Sequence, residues 1–448
     1  MRLLSKIVVL LFINLFGIPN SLTFFRVINM NLLVIFLLCS SVFASETIDQ
    51  KLSRYIQDFN LIPVAAPGPI NKKLFVLGRN LFHEKRLSGN NNISCLECHH
   101  PRVMTHDDLP LSLGEGATGI QAGTLMRMQG RGKVLARNTP ALFNLHNIYV
   151  MFWDGRVELN PVTGLFSTPF PLRQDISVTL TSALAAQAIF PLVDHSEMRG
   201  QKGSNPIADA VDEHEAWNLL VEKILQIPDY KKLFSSVFPG EKINIGHFGL
   251  ALAEFQSQNF FFADTPYDRY IKGSIDALSL KQKLGMDLFF GKGKCGDCHS
   301  GEHLSLLDYD GVASPQIGPG RQNGDDYGRF EWDQDESSKY SFRVSPLRNV
   351  GLTAPYFHNG SIKKLEGVVE HYDDIKKSLD GFRLVEQLKN YIDPLKDHDH
   401  SNNDLRYANL PEDLPLKLFL SEEEKEALVE FMRYGLTDLR LHGNIKTP

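Results

Sequence analysis

Two short stretches of the sequence repeat one pattern, Cys95-Leu-Glu-Cys98-His99 and Cys295-Gly-Asp-Cys298-His299. Two thiols at this spacing, followed at once by an imidazole, form the attachment signature of a c-type haem. Each thiol adds to one vinyl group of a single porphyrin, and the adjacent histidine is then held beneath the iron as proximal ligand. The same residue types could form half of a zinc site or a thioredoxin-like redox pair. Repetition of the whole pattern favours haem, because the remaining one of the five cysteines, Cys39, falls in the leader. The two histidines stand 200 residues apart, which gives each half room for a helical haem fold and additional loops.

Helical segments must carry these motifs. Leu74, Leu77, Leu81 and Phe82 share one face of a predicted helix over Lys73–Phe82, which leads into the first motif. Helices are also expected over 182–190 and 208–235, and Phe238-Pro-Gly240 reads as a domain boundary. The second half repeats the plan, with helices over Ile245–Phe262 and Ser279–Phe290 and then the second motif. Ser279 is a candidate N-cap, and Ser421 with Glu424 forms a capping box for a terminal helix. Residues 107–137, 308–340 and 393–415 read as long loops, and strand signals are weak throughout. His398 and His400, in the last of these loops, read as solvated rather than metal-binding. The expected fold is mainly α, with two cytochrome c-like haem domains: 45–240 around the first motif and 241–448 around the second.

The chain has 448 residues, 43% of them hydrophobic and 22% charged, as in an ordinary globular protein that can bury a core. A net charge of −6 gives no polybasic signature for nucleic acid. Residues 1–44 read as a targeting segment: Leu32–Val42 is too short to span a bilayer comfortably, and Val42 and Ala44 suit a signal peptidase. Met30 is an alternative start, and either reading predicts export to the periplasm.

Further motifs follow one another in a recognisable order. Arg137-Asn-Thr-Pro-Ala141 precedes Phe152-Trp-Asp-Gly-Arg156, Pro191 precedes Glu197-Met198, and Tyr267-Asp-Arg-Tyr270 precedes the second haem motif. Ser345-Pro-Leu-Arg-Asn-Val350 then runs into Thr353-Ala-Pro-Tyr-Phe-His-Asn-Gly360. From about residue 70 to 435 the chain resembles the bacterial di-haem cytochrome c peroxidase family, MauG-like enzymes included. The resemblance implies two haems facing each other across a domain interface. Peroxide reacts at the N-terminal haem, and the C-terminal haem relays electrons.

The axial positions decide the subtype. Ordinary family peroxidases carry methionine fourteen residues after the histidine that corresponds to His358; here that residue is Tyr372, and no nearby methionine replaces it. MauG has tyrosine at this position, so the resemblance implies that Tyr372 ligates the C-terminal iron. A phenolate stabilises ferric iron where a thioether favours ferrous, which lowers the potential. Many family members also carry a loop histidine that blocks the N-terminal iron. None lies between His106 and Asn138 here, where Met126 and Met128 are the substitutes to consider, so the site reads as open. The resemblance further makes Glu197 the distal general acid/base beside Pro191, and Trp153 the relay between the haems. A calcium ion is expected at Asn138, with carbonyls of Thr353 and Pro355.

These readings imply a peroxidase that reduces hydrogen peroxide with electrons from a small cytochrome c or cupredoxin. A MauG-like oxidation of side chains in a protein partner is the variant. The rival from another class is a non-catalytic di-haem electron carrier with two six-coordinate irons. The resemblance leaves open whether the chain forms a homodimer.

Overall fold

The computed structural model describes residues 46–117, 132–321, 324–384 and 398–445. Met126 and Met128 fall outside these residues, as do the leader and most of its Met30 alternative. Two compact units are distinguished, Met1–Gln50 and Lys51–Pro448, and all that follows concerns the second.

The fold is mainly α. Its helices start where the sequence supplies caps. Asn71 caps Lys72–Phe82 by accepting from Leu74 N, and Ser182 caps Ala183–Gln187 by accepting from Ala185 N. Ser279 with Gln282, and Ser421 with Glu424, form the capping boxes of Leu280–Phe290 and Glu422–Glu430. The helix expected over 208–235 is two, Glu213–Leu225 and Pro228–Val237, because Pro228 supplies no N–H to continue the first.

One packing unit occurs twice. Helix Lys72–Phe82 crosses helix Ile245–Asn259 with Gly78 pressed against Ala251 O and Phe255 Cβ. Helix Leu280–Phe290 crosses Glu422–Glu430 with Gly285 pressed against Ala427 O and Phe431 Cβ. In each case a Cβ on the glycine would collide with a backbone carbonyl, so only glycine lets the helices approach this closely. Each crossing lies just ahead of, or closes behind, one CxxCH motif. Helix Ile245–Asn259 therefore packs in the core that contains Leu77, Leu81, Trp217 and Phe234, and the Pro-Gly turn at 239–240 separates two helices of that single core. Residues of the leader side pack elsewhere: Lys51 pairs with Asp287 at 2.6 Å, and Phe59 stacks on Phe290 at 5.0 Å.

Strands are few and short among the described residues. Val150–Met151, Val157–Leu159 and Phe166–Ser167 form a three-stranded antiparallel sheet. Tyr309–Gly311 pairs antiparallel with Ser341–Arg343, with Asp310 opposite Phe342. Strand Tyr309–Gly311 and helix Phe330–Asp333 lie where the sequence suggested one long loop. His398 is not solvated either: it is 4% exposed, and its Nδ1 accepts from Gln316 N.

Candidate functional site

Each CxxCH motif winds as one helical turn, so both thiols and the imidazole project from a short arc. Glu97 closes the first turn by accepting from Ser94 N at 2.7 Å, and His99 N donates to Cys95 O. In the second, Lys294 at φ +59° turns the chain into Cys295–Asp297, and His299 N donates to Cys295 O. None of the four cysteines is in a disulfide. Burial pushes the thiols of Cys95, Cys295 and Cys298 up to about 12.

Both histidines are oriented in the same way. His99 Nδ1 lies 2.9 Å from Thr105 O, and His299 Nδ1 lies 3.0 Å from Leu304 O. A ring N–H given to a carbonyl fixes the tautomer and leaves Nε2 as the ligating atom. Thr105 (φ +65°) and Leu304 (φ +51°) are both left-handed, an uncommon conformation for such side chains, and this turns their carbonyls back onto the rings. Thr105 is held there by Leu142 N, which donates to its Oγ1 at 2.8 Å. Burial lowers His99 to about 4 and lowers His299 as well, so both rings are neutral and able to bind metal.

Each motif opens on its own cavity. Cys95, Cys98 and His99 line one of 520 Å³, and Cys295, Cys298 and His299 line another of 280 Å³. Thiols at the wall, a neutral imidazole aimed inward and an apolar slot are the features a covalently held haem requires, so the residues fit the group.

The first cavity gathers Pro191, Glu197 and Arg156 on the same lining as His99. Glu197 sits on a π-helical turn, His195–Arg199, capped by Asp194, whose Oδ1 accepts from Ser196 N at 2.8 Å. Gly114 lets the turn close in, since a Cβ there would strike Ser196 O. Burial, then the Asp194 charge, push the Glu197 carboxyl up to about 7 against the pull of Arg156 and Arg321. Among the described residues His99 is the only histidine in this wall. His100 and His106 turn away, each accepting a backbone N–H at Nδ1, from Arg102 and Asp108. Met198 of the Glu197-Met198 motif also lines the cavity, as does Met151, which the sequence did not single out.

The second cavity places Tyr372 on the same lining as His299. Its neighbour His371 is turned away and spent on Val312 O at 2.8 Å and Ser378 Oγ at 3.0 Å. Burial, with Cys295, Cys298 and Asp310 adding to it, holds the Tyr372 phenol well above its usual range. Met432, distant in sequence, lines this cavity too, so a thioether is present after all. Asn138, Thr353 and Pro355 are brought together on this wall. The Asn138 amide nitrogen donates to Leu109 O at 2.7 Å, which assigns the amide orientation.

Asn138–Ala141, Leu145, Trp153 and Arg343 line both cavities and form the wall between them. Trp153 Nε1 donates to Asn138 O at 2.8 Å, and Trp153 O accepts from Arg343 N at 2.7 Å. Behind Trp153, Arg137 pairs with Asp154 at 2.5 Å and bidentately with Asp326 at 2.7 and 2.8 Å. These buried pairs lock the Phe152–Arg156 turn, in which Phe152 and Gly155 both have φ of +67°. The sequence named Trp153 but gave no sign of Asp326, which arrives from the long 308–340 stretch.

A family model described as di-haem cytochrome c peroxidase matches residues 72–276. Cytochrome c551 peroxidase of Pseudomonas aeruginosa is 30% identical over 305 residues, which is 67% of this chain and 72% of that protein. Methylamine utilization protein MauG of Methylorubrum extorquens is 27% identical over 314 residues, 69% of this chain and 71% of that protein. A solved MauG-like protein associated with microbial copper homeostasis matches with a TM-score of 0.57 at 25% identity, covering 86% of this chain and 95% of that one. The diheme peroxidase BthA of Burkholderia thailandensis shares the fold, with a TM-score of 0.57 at 20% identity. Two CxxCH turns, each opening on its own cavity, and likeness of this extent lead to one conclusion: the chain belongs to the di-haem cytochrome c peroxidase family, whose members are oxidoreductases.

Proposed function

We propose that the chain reduces hydrogen peroxide to water at the N-terminal cavity, with electrons that enter through the C-terminal one. The carrying observation is an asymmetry. The first cavity pairs His99 with a distal carboxylate and, among the described residues, no second imidazole; the second pairs His299 with Tyr372. Haems held by His99 and His299 would supply the redox-active iron for this reduction. The balance is one peroxide, two electrons and two protons to two waters. Glu197 accepts the proton of the inner peroxide oxygen and returns it to the outer one, which leaves as water. Pro191 shapes the same wall without a donor of its own, so the carboxyl is the proton-moving group there. Trp153 spans the wall and is the route for electrons between the cavities.

The donor in this reading is a small redox protein, a c-type cytochrome or a cupredoxin, in keeping with the name of the Pseudomonas relative. Tyr372 favours a second reading, in which the electrons come from side chains of a protein substrate, as MauG-like electronic structure would suit. Calcium at Asn138, Thr353 and Pro355 would tie the wall to the C-terminal cavity. Export to the periplasm is part of the proposal; among the described residues no helix is long and apolar enough to cross a membrane.

Intact-mass analysis should find two haem additions on a chain that begins near Ser45. The ferric EPR spectrum should then contain one high-spin and one low-spin haem, and stopped-flow mixing with peroxide should bleach the high-spin species first. Two low-spin haems inert to peroxide would instead identify an electron carrier.

A further inference from the structure

Five arginines line the two cavities, and four of them have a carboxylate within ion-pair reach. Arg137 pairs with Asp154 and Asp326, Arg156 with Asp154 at 3.1 Å, Arg321 with Asp154 at 3.6 Å and Arg348 with Asp268 at 2.8 Å. Arg343 is the exception. It is 7% exposed, its Nε donates to Phe152 O at 3.2 Å, and its Nη1 is buried without a hydrogen-bond partner. No carboxylate among the described residues pairs with it. A guanidinium cannot shed its charge as a buried lysine can, so a fold that buries one without a counter-charge carries a large penalty.

The position of Arg343 shows where that counter-charge belongs. Its own strand, Ser341–Arg343, is pinned to Tyr309–Gly311 and to Trp153 O, which fixes the backbone from which the buried side chain projects. The His303 ring, which lines the C-terminal cavity alone, lies within reach of its charge. A haem carries two propionate carboxylates, and a guanidinium fork matches a carboxylate bidentately. We propose that Arg343 is a positioning residue that anchors a propionate of the C-terminal haem at the wall between the haems, and that its charge raises the reduction potential of that haem. This inference rests on the two-haem reading above. Reduction adds an electron near the cation, so the cation favours the ferrous state.

The test uses the full-length holoprotein with R343M and R343K. Intact mass must first find two haem additions in each, which tests the haem reading separately from the anchor. In R343M the reduction equilibrium of the C-terminal haem should become at least tenfold less favourable, a fall of about 59 mV or more for one electron. Its potential should also gain a pH dependence, because a carboxylate deprived of its cation takes up a proton on reduction. The N-terminal haem should shift less, and R343K should keep the parent potential while moving the propionate bending band of the C-terminal haem in resonance Raman spectra. Should R343M fail to mature, that band in R343K decides, and an unmoved band overturns the proposal. Parent potentials in R343M, a shift at the N-terminal haem alone, or a parent potential that follows chloride concentration would also overturn it.

Discussion

Glu197 holds its proton up to about pH 7 because burial and Asp194 outweigh the nearby arginines, and this sets the pH at which it can work. In the proposed mechanism its task begins with accepting a proton, which only the carboxylate can do. The folded-state value is raised, so the carboxylate fraction falls as pH drops through about 7. The peroxide rate constant should therefore decline by about tenfold per unit below that point. Glu197→Gln should lower the rate by about 10²-fold and flatten the profile while both haems stay attached. An unchanged single-turnover rate would remove Glu197 from the mechanism. Tyr372 is tested by replacement. Tyr372→Phe keeps the ring and removes the oxygen, so a low-spin EPR signal and potential identical to the parent would show that something else holds the iron. Tyr372→Met should raise the potential of the C-terminal haem by favouring the ferrous state. Met432 lines the same cavity, so its thioether is a replacement ligand available to the Phe variant, and Tyr372→Phe with Met432→Leu separates the two.

The two helix crossings frame the site, since each gives lining residues to one cavity: Phe82, Leu252 and Gln256 to the first, Phe289 and Leu428 to the second. Gly78 and Gly285 meet the same kind of surface, an alanine carbonyl followed four residues on by a phenylalanine: Ala251 with Phe255, and Ala427 with Phe431. Gly78→Ala should cost about 1–3 kcal/mol, the range for forcing atoms into a packed interior, and should lower the thermal midpoint. Gly68→Ala, with open space at its Cβ, is the control and should leave the midpoint unchanged. This repeat was only half legible in the sequence. The helices ahead of the motifs showed an apolar face and good caps, and both were found within a residue or so. Their partners were found as helices too, but a period of 3.6 says which face is buried and not against what. The Pro-Gly turn at 239–240 is a strong local signal that says nothing about whether the next helix returns to the same core, as Ile245–Asn259 does. Strands of two or three residues, such as Tyr309–Gly311, are too short to show alternation at all.

The proposed mechanism requires the two cavities to communicate, and the wall between them is assembled from distant parts of the chain. Residues 137–141, 153–156, 326 and 341–343 meet there, held by Arg137 between Asp154 and Asp326. The haem motifs could be read directly because covalent attachment demands thiols and imidazole at fixed local spacing. Met432, Arg343 and Asp326 could not, because nothing local distinguishes a residue that tertiary packing will turn toward a cavity from one that it turns to a surface. His398 shows the converse: its acidic surroundings suggested solvent, yet Gln316 N buries it. Trp153 is where this assembly can be probed as one object. Its indole reaches both cavities while its N–H is tied to Asn138 O, the residue proposed to hold calcium. Trp153→Phe keeps an aromatic ring but loses that hydrogen bond and the larger π-system. The variant should leave the encounter with peroxide at the parent rate, because Glu197 and His99 are untouched. Electron delivery from the C-terminal haem should slow, so that reduction of the N-terminal haem separates from the peroxide step as a distinct later phase in stopped-flow traces. Loss of the peroxide phase itself would mean that Trp153 shapes the distal cavity rather than carrying electrons. Two phases that both keep the parent rates would mean that the electrons cross the wall elsewhere.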